Sequence, residues 1–170
     1  LVRGGLTIFV FHEISDKPSE FCKDNDLAIS IKSYIAIINW IQSNYKIISP
    51  KGLLGGEIFY ESSALITFDD GFYGSFKNGL SILEERGISS LFFLNMRPVI
   101  EGVPILSAVA IYLEKYDRNF VRFCIKNNLK SPFYLTLTPL LYSSFQIQYG
   151  KIDEDVINSY QGRFVNSNLL

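Results

Sequence analysis

The 170-residue chain is 48% hydrophobic and 19% charged, and its formal net charge is -1. This composition predicts a single globular domain over residues 1–170 that is large enough to bury a substantial core. The near-neutral charge gives no basis for a nucleic-acid partner or for binding to an anionic membrane surface. Because no apolar run approaches the ~20 residues of a membrane span, we also predict no transmembrane segment.

The two cysteines indicate the cellular compartment, and the chain ends indicate whether the domain is complete. Cys22 and Cys124 stand alone without CxxC spacing, which argues against a disulfide framework and fits a reducing compartment. The sequence shows no signal-peptide pattern, which favours the cytoplasm without fixing the compartment. Neither end carries a clear start or stop signal, so we expect the domain to be truncated at its C-terminus.

The first elements in chain order are a strand and a helix. Leu6 to Phe11 is apolar throughout and predicts a strand ending at His12, followed by a polar loop that extends to Asp26. Ser30 is a suitable N-cap for the next helix. That helix has an apolar stripe at helical spacing, formed by Ile31, Tyr34, Ile35, Ile38, Ile41 and Tyr45.

A strand–helix–strand succession follows. Lys46 to Ser49 is predicted to be a short strand, and Pro50 to Gly56 a turn or short helix. Ala64 to Phe68 is fully apolar or β-branched and predicts a buried strand. The next helix has Phe76, Leu80 and Leu83 on its inner face and ends at Gly87, and a second buried strand is predicted over Ser90 to Leu94.

The second half of the chain is predicted to be mainly helical. Ser107 to Tyr116 and Asn119 to Asn127 have helical patterns, and Leu140 to Tyr149 and Asp153 to Tyr160 are further candidates. The stretch between Pro132 and Pro139 is of uncertain type. The alternation in the first half predicts an α/β fold with a parallel sheet or barrel, into which the second half is inserted.

The strongest functional signal is the pair Asp69 and Asp70 at the end of the Ala64 to Phe68 strand. Ligands bind at the carboxyl ends of strands in α/β folds, and two adjacent carboxylates repel each other unless a cation or shared proton intervenes. One alternative is an ordinary solvated Asp-Gly turn. Another is a phosphate-handling, Mg²⁺-binding acid pair, but such pairs have a gap between the two acids, whereas these are adjacent.

The string Thr67-Phe68-Asp69-Asp70-Gly71 resembles the first motif of the polysaccharide deacetylases, the NodB-homology or carbohydrate esterase family 4 domain. Three further segments resemble the family in the expected order: Phe9 to Ser15, Tyr45 to Ser49, and Gly79 to Leu94. The resemblance extends from about Leu6 to Asn95.

This resemblance implies a partial or distorted (β/α) barrel of NodB type that binds a divalent metal, most often zinc. The implied reaction removes acetyl groups from N-acetylated sugars of an oligosaccharide or polysaccharide. Carried over, Asp69 would be the general base and Asp70 a metal ligand. His12 ends the first strand at the same sheet edge and is a candidate general acid, the alternative being an inert core or rim histidine.

One departure from the family concerns the metal ligands. Relatives complete their metal site with two histidines of an HxxxH-type motif, whereas His12 is the one histidine of this chain. Because a catalytic zinc takes three protein ligands, we expect the remaining ligands to lie beyond Leu170 and the isolated chain to be inactive. Two alternatives stay open: a catalytically inactive, glycan-binding deacetylase-like domain, and an inert structural half-barrel.

Overall fold

A parallel β-sheet forms the centre of the fold in a computed structural model, which describes residues 5–56, 62–127, 146–150 and 153–165. The strands are β1 (Leu6–Phe11), β2 (Glu13–Ile14), β3 (Ala28–Ile29), β4 (Lys46–Ile47), β5 (Ser63–Asp70) and β6 (Leu91–Leu94). The helices are α1 (Glu20–Asp24), α2 (Ile31–Asn44), α3 (Pro50–Leu54), α4 (Ser81–Glu84), α5 (Met96–Glu101), α6 (Leu106–Tyr116), α7 (Arg118–Lys126) and α8 (Glu154–Gln161). A π-helical segment, Ser75–Leu80, leads directly into α4.

Strand β5 is the central strand of the main sheet. Along its length it pairs in parallel with β1, while β4 pairs with its first residues and β6 with its last. With partners on both edges, its residues from Ser63 to Phe68 are all buried. The predicted α/β class with parallel strands is therefore confirmed, and the predicted strand is extended by Asp69 and Asp70.

The sheet does not close into a barrel within the described residues. The main sheet there has four strands, and β2 and β3 form a separate parallel pair. One face of the sheet is partly open to solvent, because Ile8, Val10 and Phe93 are each about half exposed. The expectation of a buried strand over Ser90 to Leu94 was therefore wrong: no residue of β6 is fully buried, and Phe93 is exposed on this open face.

The other face of the sheet packs against α2 and the helix that contains α4. Ser30 caps α2, its hydroxyl accepting a hydrogen bond from the Ser33 N–H at 3.0 Å. The apolar stripe of α2, which includes Tyr34, Ile38 and Ile41, is buried against the sheet. This burial explains why the helical periodicity predicted α2 correctly. The core cluster here comprises Phe11, Ile14, Tyr34, Ile38, Ile41, Ala64, Ile66, Phe68 and Leu83.

The segment predicted as a polar loop between the first strand and α2 is structured. It contains β2, α1 and β3, and the N-cap of α1 is Ser19, whose hydroxyl accepts a hydrogen bond from the Cys22 N–H. Two-residue strands and a five-residue helix carry too few residues for a periodic pattern. Their conformation depends on contacts with distant parts of the chain.

The described part of the second half is helical, as expected. α6 and α7 match the predicted helices, and Asp117 between them caps α7. After α8, Phe164 forms an isolated antiparallel bridge with Phe72, and the two rings lie 4.7 Å apart. Residues 128–145, including the Pro132 to Pro139 stretch and the start of the predicted Leu140 helix, lie outside the described residues, whereas 146–149 are helical.

Cys22 and Cys124 are both buried, and both are free thiols. Their spacing in the sequence had argued against a disulfide framework. In the part of the chain that the structure describes, no helix combines the length and the apolar character that crossing a membrane requires.

Candidate active site

The Asp69-Asp70-Gly71 sequence forms a tight turn at the carboxyl end of β5. The Gly71 N–H donates to the Asp69 carbonyl at 2.9 Å, and Asp70, between them, has a φ of 68°. A hydrogen bond between residues i and i+2 around a positive φ is a γ-turn, which is strained for any residue with a side chain. Such a conformation costs about 1–3 kcal/mol, and strained residues of this kind cluster at functional sites.

Gly71 is required by both its conformation and its surroundings. Its φ is 88°, and a Cβ at this position would lie 3.0 Å from the Leu94 Cδ2. The β6 strand thus approaches the turn closely, and the Asn95 N–H donates to the Asp70 carbonyl at 3.0 Å. The turn is fixed by its neighbours, which offsets the strain at Asp70.

His12 lies beside Asp70. Strands β1 and β5 are parallel and in register, with Phe11 opposite Phe68, so the residues that follow them emerge at the same sheet edge. The His12 Nδ1 and the Asp70 Oδ2 are 3.0 Å apart, and each side chain is about a third exposed. When Nδ1 carries the proton and donates to the carboxylate, Nε2 is available to a ligand.

The charges of both aspartates act on His12. The hydrogen bond to Asp70 raises the pKa of His12 above its ordinary value, burial opposes this, and the charges of Asp70 and Asp69 add to the rise. A carboxylate that holds an imidazole through Nδ1 favours the imidazolium and fixes the ring orientation. The three residues singled out from the sequence therefore form one electrostatic group at the end of the sheet.

Residues beyond the sequence motif hold the His12 segment in place. The Ser75 hydroxyl donates to the His12 carbonyl, and the Asn78 side-chain amide donates to the Ile14 carbonyl at 2.7 Å. In the opposite direction, the Gly74 N–H donates to the Glu13 Oε2 at 3.1 Å. These contacts were not predicted from the sequence. The spacing of three residues between Ser75 and Asn78 could have indicated them, because it places both side chains on one helix face.

The described residues do not by themselves form a zinc site. No group of three histidine, cysteine, aspartate or glutamate side chains that could hold a metal ion occurs among them. A catalytic zinc takes three protein ligands, whereas here Asp70 is one candidate ligand and its Oδ2 already contacts His12.

Comparison with solved structures finds similar polysaccharide deacetylases. A de-N-acetylase from Aggregatibacter actinomycetemcomitans is 18% identical over 51% of this chain and 36% of its own length, with a TM-score of 0.42. IcaB from Ammonifex degensii is 23% identical over 56% of this chain and 40% of its own length, with a TM-score of 0.48. The chain is similar to polysaccharide deacetylases.

The similarity is partial in sequence and in extent. The deacetylase PplD from Streptococcus pyogenes aligns over 55% of this chain and 44% of its own length, at 16% identity and a TM-score of 0.45. The chain therefore spans well under two thirds of the solved structures it matches. No protein-family model matches the sequence, and no curated protein does.

Proposed function

We propose that this chain carries part of the active site of a deacetylase that hydrolyses the acetamide of an N-acetylated sugar. The observation that supports the proposal is the hydrogen bond between His12 and Asp70, formed beside Asp69 at a strained turn. A base and an acid held at one sheet edge are the groups that amide hydrolysis needs, because a proton must leave the water and another must reach the amine.

In the proposed reaction, Asp69 takes a proton from a water molecule whose oxygen attacks the acetyl carbonyl carbon. The carbon–nitrogen bond then breaks, and His12 donates the proton on Nε2 to the departing amine. The products are acetate and the free amino sugar. Asp70 orients the imidazole through Nδ1 and stabilises its protonated form, which keeps the donor proton on the side that faces the substrate.

We also propose that Asp70 would be one ligand of a divalent metal, zinc by the sequence resemblance, which would supply a Lewis acid for the acetyl carbonyl. Such a site needs ligands beyond those that the described residues contribute. The substrate would be an acetylated oligosaccharide or polysaccharide.

A second candidate function is glycan binding without cleavage. No group of three potential metal ligands occurs among the described residues, and this favours glycan binding without cleavage. In a protein without a metal, Asp69 would have no metal-activated water beside it. This alternative predicts that the protein binds acetylated oligosaccharides but releases no acetate from them.

The test is acetate release by the full-length protein from an N-acetylglucosamine tetramer, followed by proton NMR with and without added zinc. Asp69→Asn and His12→Gln are each expected to lower the rate by 10²-fold or more, because each removes a proton-transfer group. Asp155→Asn, an exposed acid on α8, is the matched control and should leave the rate unchanged. Equal rates for the Asp69 and Asp155 variants would contradict the proposal, and binding without acetate would favour the second candidate.

A further inference from the structure

A pocket of about 370 Å³ is lined by residues that follow His12 and the Asp-Asp-Gly turn in the chain. Its wall combines the β2 segment, the residues that follow the Asp-Asp-Gly turn, and the chain that follows α8. The volume lies within the range of small-ligand sites in proteins, which starts at roughly 300 Å³. The pocket is thus large enough for one sugar unit or a substituent group.

Three cationic side chains line this pocket: Lys17, Lys77 and Arg163. The Arg163 guanidinium lies 4.2 Å from the centroid of the Tyr73 ring, and the Lys77 Nζ lies 5.9 Å from it. The Tyr73 N–H also donates to the Arg163 carbonyl at 2.9 Å, so the arginine is anchored by both backbone and ring. None of the three cations forms an ion pair with another described residue.

Glu13 is the acidic residue in the wall, and it opposes these cations only weakly. Its Oε2 accepts a hydrogen bond from the Gly74 N–H at 3.1 Å. Burial raises the pKa of Glu13 to about 7, so the carboxyl group is neutral below that pH. The pocket therefore carries an excess of positive charge, supplied by side chains on three separate chain segments.

The wall of the pocket shares two chain segments with the candidate active site. Glu13 follows His12 in the chain, and Tyr73 comes three residues after Asp70. A glycan whose acetylated sugar lies at His12 and Asp70 would place a neighbouring unit within reach of this wall. Lysine and arginine are the side chains that bind carboxylate and phosphate groups by charge-assisted hydrogen bonds.

We infer that Lys17, Lys77 and Arg163 form a subsite for an anionic group, a carboxylate or a phosphate, on a glycan bound at the candidate active site. The inference rests on the proposed function and narrows its substrate to negatively charged, N-acetylated glycans. Arg163 supplies a planar donor for the anion, and the two lysines supply mobile ammonium groups.

The test is calorimetric binding at low salt and at about pH 6, which is below the pKa of Glu13. The Asp69→Asn protein is used so that the ligand is not consumed. Three probes separate the sources of charge: a tetramer of alternating glucuronate and N-acetylglucosamine, a phosphodiester-linked N-acetylglucosamine oligomer, and the neutral N-acetylglucosamine tetramer. The pocket variants are Lys17→Gln/Lys77→Gln and Arg163→Gln, and the control is Lys126→Gln, on α7.

At least one anionic probe is expected to bind tenfold or more tightly than the neutral tetramer. The pocket variants should abolish that preference, whereas Lys126→Gln should retain it. The better anionic probe identifies the group as carboxylate or phosphate. Equal binding of all probes, no binding of any, or retained preference in the double lysine variant would overturn the inference; that variant is informative even if Arg163→Gln disturbs the pairing with Tyr73.

Acetate release by the parent protein separates the two proposals. Acetate release without anion preference would reject the subsite and leave the deacetylase proposal standing. Anion preference without acetate release from the parent on any probe would support the subsite and reject the proposed hydrolysis.

Discussion

Replacing Glu13 with glutamine should stabilise the protein at pH 8 but not at pH 4. The carboxyl group of Glu13 is largely buried, and burial raises its pKa from 4.5 to about 7 against the opposing effect of the hydrogen bond from the Gly74 N–H. A glutamine of the same shape retains an oxygen that can accept the Gly74 N–H. The substitution therefore removes the ionisable group while the contact remains.

The size of the effect follows from proton linkage. The folded state holds the Glu13 proton more tightly than the unfolded chain, so its contribution to stability is present below pH 4.5 and is lost as the pH rises to about 7. The difference between these pKa values corresponds to about 3 kcal/mol. Partial exposure of the group to water reduces the expected gain for Glu13→Gln at pH 8 to about 1–3 kcal/mol.

The assay is urea unfolding of the parent and Glu13→Gln proteins at both pH values, followed by the fluorescence of Trp40, the single tryptophan. Glu114→Gln, an exposed glutamate on α6, removes the same charge and should show no comparable gain at pH 8. A Glu13→Gln protein that is destabilised equally at pH 4 and pH 8 would refute the reasoning. That result would mean that the pKa of Glu13 is the same in the folded and unfolded states, so that the loss arises from shape or hydrogen bonding and not from ionisation.

Three further predictions concern the core and the turn. Gly74→Ala should unfold or strongly destabilise the protein, because the new Cβ would lie 2.5 Å from the Glu13 Oε1 and 2.6 Å from the Ile14 carbonyl oxygen. Gly5→Ala is the control and should be tolerated, since its Cβ would have no neighbour within 4 Å. Equal thermal melting temperatures of the two variants would contradict this prediction. Asp70→Ala should be about 1–2 kcal/mol less stable in urea than Asp70→Asn, because asparagine tolerates a positive φ; the reverse order would argue against strain at this turn. Ile38→Ala, at a fully buried position, should cost about 2–5 kcal/mol in the same assay, and a loss below about 1 kcal/mol would contradict its place in the core.

Sequence periodicity predicted the elements whose burial is set by one long face. α2 presents a continuous stripe to the sheet, and β5 is apolar from Ala64 to Phe68, where it has a strand on each edge and its residues are buried. Each signal extends over enough residues to be read without knowing what the element packs against. α6 and α7 were also predicted with nearly correct bounds.

The parts that could not be predicted depend on long-range pairing. β2 and β3 are two residues each and exist because they pair with each other, and the Phe72 bridge is made by Phe164, far along the chain. The exposure of Phe93 on the open face could not be predicted for a similar reason, because the hydrophobicity of one strand does not indicate how many strands the sheet has.

The candidate site was predictable in location but not in geometry. Parallel strands bring their carboxyl ends together, so the positions of His12 and the acid pair in the sequence sufficed to place them at one edge. The hydrogen bond from His12 to Asp70 depends on the backbone conformation of Asp70, whose φ is 68°. No pattern of residues in the sequence predicts this value. The contribution of Arg163 to the neighbouring pocket requires the return of the chain after α8.

The measurement that tests the central claim most directly is simultaneous quantification of acetate and free amine released from an N-acetylated oligosaccharide. The proposal predicts that the full-length protein releases the two products in equal amounts, and that its Asp69→Asn variant releases both at least 10²-fold more slowly while it still binds the oligosaccharide. Binding by both proteins with no acetate from either would contradict hydrolysis. It would assign the His12–Asp70 pair to glycan binding alone.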